Sequence, residues 1–417
     1  MKILICGAQG FIGAAIAERL TTAGHDVLRG VRHPQSAQDV AIDYSRDVSE
    51  DYWLPRLQGI DVVINAVGII VERPGVTFEA IHHKAPQALF AACQKMGVKR
   101  VVQISALGAD QGTTPYFVSK RAADDGLMRL PIAWQILRPG LVYGANGASA
   151  QFFRQLASLP VISLPAGGRQ KLQPIHIDDL TKAVCLLIKA ETPPHQCLEL
   201  VGSEVVEYRE MLRLYRAAMD FPKAVEIPIP AAIISITAAV VGKIPGAILT
   251  PDTWAMLQAG NTGDVAVTIK LLGREPRAAR TFITSGDSER LREQALSAWR
   301  VPLMRATLAL IWLATSFITA FIFPRENSLE MLAKAGLTGL AGQWALFAGI
   351  VLDAVMGVIT LLRPSRGLWW LQGAVIVFFS TVIAFALPEY LWHPFGPILK
   401  NVPILAMLFL LLAEERR

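Results

Sequence analysis

Lys2-Ile3-Leu4-Ile5-Cys6-Gly7-Ala8-Gln9-Gly10-Phe11-Ile12-Gly13 decides the fold. A short apolar strand runs into glycines spaced G-x-x-G-x-x-G at Gly7, Gly10 and Gly13, and an amphipathic stretch, Ala14 to Ala23, follows. In such a turn one glycine lets the chain leave the strand sharply. A second lets backbone approach a pyrophosphate, and a third lets the helix pack closely on the sheet. The start of that helix offers unpaired N–H groups and a partial positive charge to phosphates. Strand before and helix after is the context that raises this spacing above a chance Gly-rich turn.

Working outward, the chain alternates. Strands are expected at Lys2–Cys6, Asp26–Val31, Asp61–Asn65, Arg100–Ile104, Ile132–Leu137 and Leu198–Val201, with helices at Ala14–Ala23, Thr77–Met96 and Pro115–Arg129. Apolar, β-branched strands alternating with helices spell an α/β fold with a doubly wound parallel sheet. From about Val205 the pattern turns helical: Tyr208–Met219 is amphipathic, and Pro228–Leu249 is apolar and bounded by prolines. Its uninterrupted part, Ala231–Gly242, is too short to span a bilayer and reads as a buried helix of a substrate lobe rather than a membrane-surface helix. Ser285–Arg300 is a charged helical link.

After Arg300 the composition changes. Leu303–Phe323 carries one charge, Arg305; Trp344–Leu362 carries one, Asp353; Leu368–Leu387 carries none. Gly396–Ala413 is weaker because Lys400, Asn401 and Pro403 crowd its start. Three strong spans and a fourth predict an all-α transmembrane four-helix domain. The expected organisation is 1–225 nucleotide domain, 226–300 substrate lobe and linker, and 301–417 membrane domain. Trp369, Trp370 and Trp392 fall at span ends, where amphipathic rings favour the interface. Arg290, Arg292, Arg300 and Arg305 precede the first span, Arg363 and Arg366 fill the second loop, and Arg416 and Arg417 close the chain. By the positive-inside rule both termini and the nucleotide domain are expected in the cytoplasm of a multi-pass membrane protein.

Bulk properties agree with that division. The chain has 417 residues, 53% hydrophobic, with a mean hydropathy of +0.40, and the excess is concentrated past residue 300. A net charge of +6 and a pI near 9.2 raise nucleic acid as a partner. The basic residues are scattered, with no basic stripe and interleaved aromatics, so nucleic acid is set aside. Cys6, Cys93, Cys185 and Cys197 form no C-x-x-C pair and read as buried, reduced thiols. The apolar run at the start is too short for a signal peptide. No metal is expected: His82 and His83 are adjacent and would leave a helix in different directions.

Chemistry is expected around Tyr116-Phe117-Val118-Ser119-Lys120. Thr113-Thr114-Pro115 starts a helix, and Tyr116 and Lys120, four apart, share one face. A nearby ammonium should lower a phenol's pKa, so that Tyr116 gives a proton to a carbonyl oxygen as hydride arrives, or removes one in reverse. Ser105, at the end of the Val101–Ile104 strand, could face the same oxygen. Past the second strand stands Arg29-Gly30-Val31-Arg32-His33, with no acid to hold a ribose 2′-OH. Arg32 suits a 2′-phosphate, which favours NADP(H) over NAD(H). Asp43 is a candidate acceptor for the adenine amine. Asp353 sits mid-span on a face with Ala345, Gly349 and Gly357. It reads as a proton or quinone-headgroup site, or as a protonated carboxyl bonded to Thr315, Ser316, Thr319, Ser380 or Thr381; the second reading is favoured.

Gly7/Gly10/Gly13, Asn65-Ala66-Val67-Gly68, Ser105, Tyr116/Lys120 and Arg138-Pro139-Gly140 resemble the extended and atypical short-chain dehydrogenase/reductase superfamily. Ile104-Ser105-Ala106-Leu107-Gly108-Ala109-Asp110 and His176-Ile177-Asp178-Asp179-Leu180 are similar to the branch containing the nucleotide-binding accessory subunit of complex I. The resemblance covers about residues 1–285, and the four spans resemble the DoxX-like family. It implies a Rossmann fold, a catalytic set Ser105, Tyr116 and Lys120, and cofactor contacts at Gly7, Gly10, Phe11, Ile12, Gly13, Ala66, Gly68, Lys120 and Pro139, beside Arg32 and Asp43. Many members have asparagine where this chain has His82, and not all of the complex I branch are catalytic. The expected function is a membrane-anchored NAD(P)(H)-dependent oxidoreductase acting on a carbonyl or alcohol of a hydrophobic substrate, with membrane lipid and a membrane redox partner as associates. Two alternatives stand beside it. One is a non-catalytic NADPH-binding assembly or sensor protein. The other is a nucleotide-sugar epimerase or dehydratase, although Ser105-Ala106-Leu107-Gly108 supplies no acid beside the hydroxyl.

Overall fold

Seven strands, all parallel, make the main sheet: β1 (Lys2–Cys6), β2 (Asp26–Val31), β3 (Asp39–Ala41), β4 (Val62–Asn65), β5 (Arg100–Ile104), β6 (Trp134–Pro139) and Gln196–Leu200. Their order is Gln196–Leu200, β6, β5, β4, β1, β2, β3, with Leu4 level with Leu28 on one side and Val63 on the other. The computed structural model describes residues 1–189, 191–244, 247–392 and 398–415. The order reverses between β1 and β4. In open sheets of this kind ligands bind at that switch, beyond the carboxyl ends of the strands.

Alternation along β1 builds two core layers. Ile3 and Ile5 meet Ile16 and Leu20 of α1 (Phe11–Thr22) and Leu180 and Val184 further on; Leu4 and Cys6 meet Leu89 and Cys93 of α2 (Ala85–Lys95) and Leu127 of α3 (Pro115–Met128). Each fully buried leucine or isoleucine contributes about 1.5–3 kcal/mol, so this strand is held from both faces. Ahead of α2, Glu79–Lys84 form a π-helical turn within the helix expected at Thr77–Met96.

The remaining elements of this unit are α4 (Ala148–Ser158), α5 (Ile177–Leu187), α6 (Tyr208–Ala218), α7 (Ala231–Val241), α8 (Pro251–Ala259) and α9 (Val265–Leu272). Short strands join them in pairs, among them Val225–Ile229 parallel to Val161–Pro165. One expectation fails here. α7 buries only Ile234 and Ala238 and is otherwise largely exposed, so it is not a buried helix. A second correction concerns the thiols. All four are free and Cys6 and Cys93 are buried, but Cys185 is half-buried and Cys197 exposed. Cys197 lies on the last strand of the sheet, which has a neighbour on one side only.

The chain divides into two compact units, Met1–Ala295 and Leu296–Arg417. The second holds most of α10 (Ser285–Phe321), then α11 (Arg325–Lys334), α12 (Gly339–Leu362), α13 (Arg366–Ala386) and α14 (Asn401–Glu414). α10, α12 and α13 are long and apolar enough to cross a membrane. α14 has 14 residues, about 21 Å of helix against a hydrocarbon core of about 30 Å, so the fourth span is shorter than expected. Gly396 and Pro397, at its expected start, and the terminal arginines lie outside the described residues. Inside the bundle, Trp312 donates to Gln372 (3.0 Å), Gln372 to Thr360 (2.7 Å) and Thr360 to Met356 O (2.7 Å). Trp312, Gln372 and Thr360 thus satisfy one another within the bundle, as an apolar surrounding favours. The hydroxyl partners expected for Asp353 are not its partners. Thr315, Ser316 and Thr381 donate to backbone carbonyls and Ser380 accepts from Asn401. Among the described residues Asp353 makes no hydrogen bond or ion pair.

Candidate nucleotide and active site

At the switch point, Gly7 takes φ +84°, and its N–H and that of Ala8 donate to Gly30 O. Gly10 N–H donates to Gly7 O (2.9 Å), which closes the turn. A Cβ on Gly13 would lie 2.2 Å from Gly7 O, so α1 reaches the strand only because Gly13 has no side chain. Gly10 caps α1 without a side-chain bond, and no acid occupies the first turn. The amides of Phe11, Ile12 and Gly13 therefore have no intrahelical acceptor and face an anion-binding position. The Phe11 ring fills the space that side chains at Gly144 and Gly147 would occupy, so Phe11 offers backbone, not ring, to a phosphate. Ile12 packs against the sheet. Ala66 N–H donates to Cys6 O (3.0 Å), bringing the loop after β4 alongside the turn.

On the other side of the turn, Arg29 is held by Asp39 (2.7 Å) in β3. Arg32, just past β2, is exposed and makes no ion pair among the described residues. Asp43 is engaged: one oxygen accepts from the amide (3.0 Å) and hydroxyl (2.6 Å) of Ser45, and Arg46 lies 3.8 Å from the other. Burial opposes its charge, but Ser45, Arg46 and Arg32 outweigh it and hold the carboxyl below its usual range.

α3 begins at Pro115 with the Thr114 side chain accepting from Phe117 N–H. Its register puts Tyr116, Lys120 and Asp124 four apart on one face. Lys120 is buried; its ammonium donates to Ile104 O (3.2 Å) and Val67 O (3.4 Å), and lies 3.1 Å from where a Gly68 Cβ would be. Gly68 thus makes room for the lysine beside the β4 loop. Burial lowers the Lys120 pKa to about 8, against the opposing pull of Asp124. The Tyr116 ring meets His82 edge-on at 5.6 Å and lies against Phe78 and Phe117. Burial, aided by Asp124, pushes its phenol up to about 12. This reverses the expectation of a lysine-lowered phenol: burial favours the protonated form of Tyr116. His82, on the π-helical turn, accepts from Ile69 N–H (3.0 Å) through Nε2, so Nδ1 carries the proton and donates to Ser119 Oγ (2.9 Å). Burial and the Lys120 charge lower its pKa to about 2, so it stays neutral.

Ser105 is placed differently from the expectation. Its hydroxyl donates to Asp124 (2.8 Å), which also accepts from Arg138 Nε (3.3 Å). The other Asp124 oxygen is buried without a partner among the described residues. Burial raises the Asp124 pKa against the pull of Ser105, Arg138 and Lys120. Sequence reasoning missed Asp124 because it sought an acid next to Ser105 in the chain. The four-residue spacing from Lys120 was the available signal. Pro139 ends β6, its carbonyl accepting from Leu107 N–H (3.0 Å), and Asn261 accepts from Leu141 N–H (2.6 Å). Asn261 also went unforeseen, because it arrives from the far end of α8. Among the described residues no three His, Cys, Asp or Glu side chains gather to hold a metal.

Two family models match the chain: the NAD dependent epimerase/dehydratase family over residues 3–197 and the DoxX-like family over residues 309–409. The mitochondrial NADH dehydrogenase [ubiquinone] 1 alpha subcomplex subunit 9 of Arabidopsis thaliana is 27% identical over 248 residues, 55% of this chain and 60% of that protein. The ceramide reductase of Caulobacter vibrioides is 26% identical over 55% of this chain and 74% of that protein. The chain therefore spans less than two thirds of the Arabidopsis protein and nearly three quarters of the Caulobacter one. Among solved structures, MoeE5 in complex with UDP-glucose and NAD superposes with a TM-score of 0.54 at 20% identity, covering 72% of this chain and all of that one. At that identity the likeness is one of fold.

Proposed function

We propose that this chain, which joins an NAD-binding domain of the epimerase and short-chain dehydrogenase/reductase type to a DoxX-like helical domain, is a membrane-anchored NADP(H)-dependent oxidoreductase acting on a carbonyl or alcohol of a hydrophobic substrate. The observation that carries the reading is the face of α3: Tyr116, whose hydroxyl makes no hydrogen bond among the described residues, and Lys120, buried against the β4 loop. The cradle fits a dinucleotide, because uncapped amides at the start of α1 meet a turn in which Gly13 leaves no room for a side chain. When bound, a nicotinamide dinucleotide supplies or accepts hydride. Gly7, Gly10, Gly13 and the amides of Phe11 and Ile12 would hold its phosphates, with Ala66, Gly68 and Pro139 along the crevice and Lys120 toward its ribose. Arg32, which makes no ion pair among the described residues, would take a 2′-phosphate, and Asp43 would lie toward the adenine.

Tyr116, protonated at neutral pH, donates to the substrate oxygen, which favours carbonyl reduction. Ser105 completes the set only by turning its hydroxyl away from Asp124 toward that oxygen. The DoxX-like bundle and the likeness to a ceramide reductase support a hydrophobic substrate. The arginine distribution supports a cytoplasmic nucleotide domain.

The inward-turned Ser105 favours a second reading, a nicotinamide-binding assembly or sensor protein without turnover, as does the likeness to an NADH dehydrogenase subunit. A panel of lipid and isoprenoid carbonyls assayed with NADPH, in wild type and Tyr116→Phe, separates the two. Turnover lost in the variant while NADPH binding persists supports the enzyme. Binding without turnover in wild type supports the alternative.

A further inference from the structure

From Ile227 to Pro251 the only charge is Lys243; Lys223 and Glu226 precede the segment and Asp252 follows it. Ile234 and Ala238 of this segment pack on Trp254, and many of its other apolar side chains are left outside the core. On α7, Ile233, Ile236 and Val240 are 52%, 67% and 64% exposed, and Ile244 beyond it is 60% exposed. Val225 and Ile227, on the strand leading into α7, are exposed as well, and Val161 beside Val225 on the neighbouring strand continues the patch. Scattered exposed apolar residues are ordinary; a contiguous helix face with a strand edge is not.

Two features say what covers it. The polar atoms of α7 are answered within the protein: Ser235 donates to Ala231 O (3.0 Å) and accepts from Trp254, and Thr237 donates to Ile233 O (2.8 Å). An apolar face whose polar atoms are answered within the protein, with Lys223 and Lys243 near its ends and the acid of its strand, Glu226, neutralised by Arg213 (2.6 Å), matches the lipid interface, where apolar side chains enter the acyl boundary and cations meet anionic headgroups. The chain itself supplies a bilayer, since α10, α12 and α13 are long enough to cross one.

We infer that α7 and the Val225–Ile229 edge form a lipid-embedded surface of the nucleotide-binding unit, lying in the headgroup and acyl boundary of the membrane that holds the DoxX-like helices. α7 leads through α8 to Asn261, which bonds Leu141 beside Pro139, so this surface is continuous in sequence with the crevice wall. The assignment stands whether or not the crevice turns over substrate.

The test is nitroxide labelling of the full chain, with Cys185→Ser and Cys197→Ser, reconstituted in vesicles containing anionic lipid. Labels go at Ile236→Cys, at Val240→Cys and, as control, at exposed Val48→Cys. In lipid, labels at 236 and 240 collide more with oxygen than with a water-soluble nickel chelate, and the order inverts at 48. Three results overturn the inference. Nickel access at 236 and 240 equal to that at 48 means the face is in water. Immobilised labels with dipolar coupling between molecules mean a second copy covers it. Immobilised labels without coupling mean another part of the same chain does. All three sites are exposed, so the variants retain the core, and NADPH titration checks that the crevice is intact.

Discussion

Replacing Gly13 by alanine tests the crevice directly. The new Cβ would lie 2.2 Å from Gly7 O, 2.8 Å from Gly7 C and 3.2 Å from Ala8 N. All three are backbone atoms of the phosphate turn, so no rotamer change relieves the clash. Ordinary contact begins at 3.4 Å, so α1 and the turn must part by about 1.2 Å. Overpacking of this kind costs about 1–3 kcal/mol. At roughly 2–4 °C per kcal/mol for a large domain, the melting temperature should fall by about 2–12 °C. The same displacement moves the amides of Phe11, Ile12 and Gly13 out of reach of a shared phosphate. Losing one hydrogen bond to a charged group costs about 1.5–3 kcal/mol, so NADPH affinity should weaken roughly 10- to 100-fold. The assay is titration of detergent-purified full-length protein by cofactor fluorescence, paired with thermal unfolding. Gly24→Ala is the control: φ is +82° there and nothing lies within 4 Å, so it loses stability by backbone strain alone and keeps its affinity. A Gly13→Ala protein that is destabilised yet binds NADPH like wild type would place the phosphates elsewhere and refute the reasoning.

Arg32→Ala should weaken NADPH roughly 10- to 100-fold and leave NADH unchanged, because a guanidinium–phosphate bond is charge-assisted, whereas Arg29→Ala, already paired with Asp39, should not alter the preference; equal losses for both cofactors would defeat the NADP assignment. Lys120→Met should raise stability at neutral pH while abolishing turnover. Lys120 titrates near 8 instead of the ordinary 10.5, so keeping it charged opposes folding by about 3 kcal/mol below pH 8, and the opposition fades as pH rises from about 8 to 10.5. The melting-temperature advantage of the variant should therefore shrink across that window, and a constant gap would deny the lysine its buried charge. Asp353→Leu removes from the middle of α12 a carboxyl that makes no hydrogen bond or ion pair among the described residues, and should raise the melting temperature of the solubilised protein; a fall would reveal a bond that the acid makes.

Periodicity along the chain determined the local and repeating features: the glycine turn, the alternating strands, the tyrosine and lysine on one helix face, and the long apolar spans. These are set by backbone geometry and by burial of adjacent residues, which a sequence displays in order. Contacts between distant residues were settled only by the fold. Ser105 and Asp124 lie 19 residues apart on different elements, yet their side chains meet, and the serine hydroxyl turns inward as a result. His82 was visible as a departure, but its place on a π-helical turn, its bond to Ile69 and the burial beside Lys120 that keeps it neutral were not shown by composition. The environment of Tyr116 likewise followed from desolvation, which outweighs any help from a lysine on the same face. The exposure of α7 is of the same kind. Apolar composition says that a surface wants covering, and only the packing of its neighbours decides whether protein provides the cover.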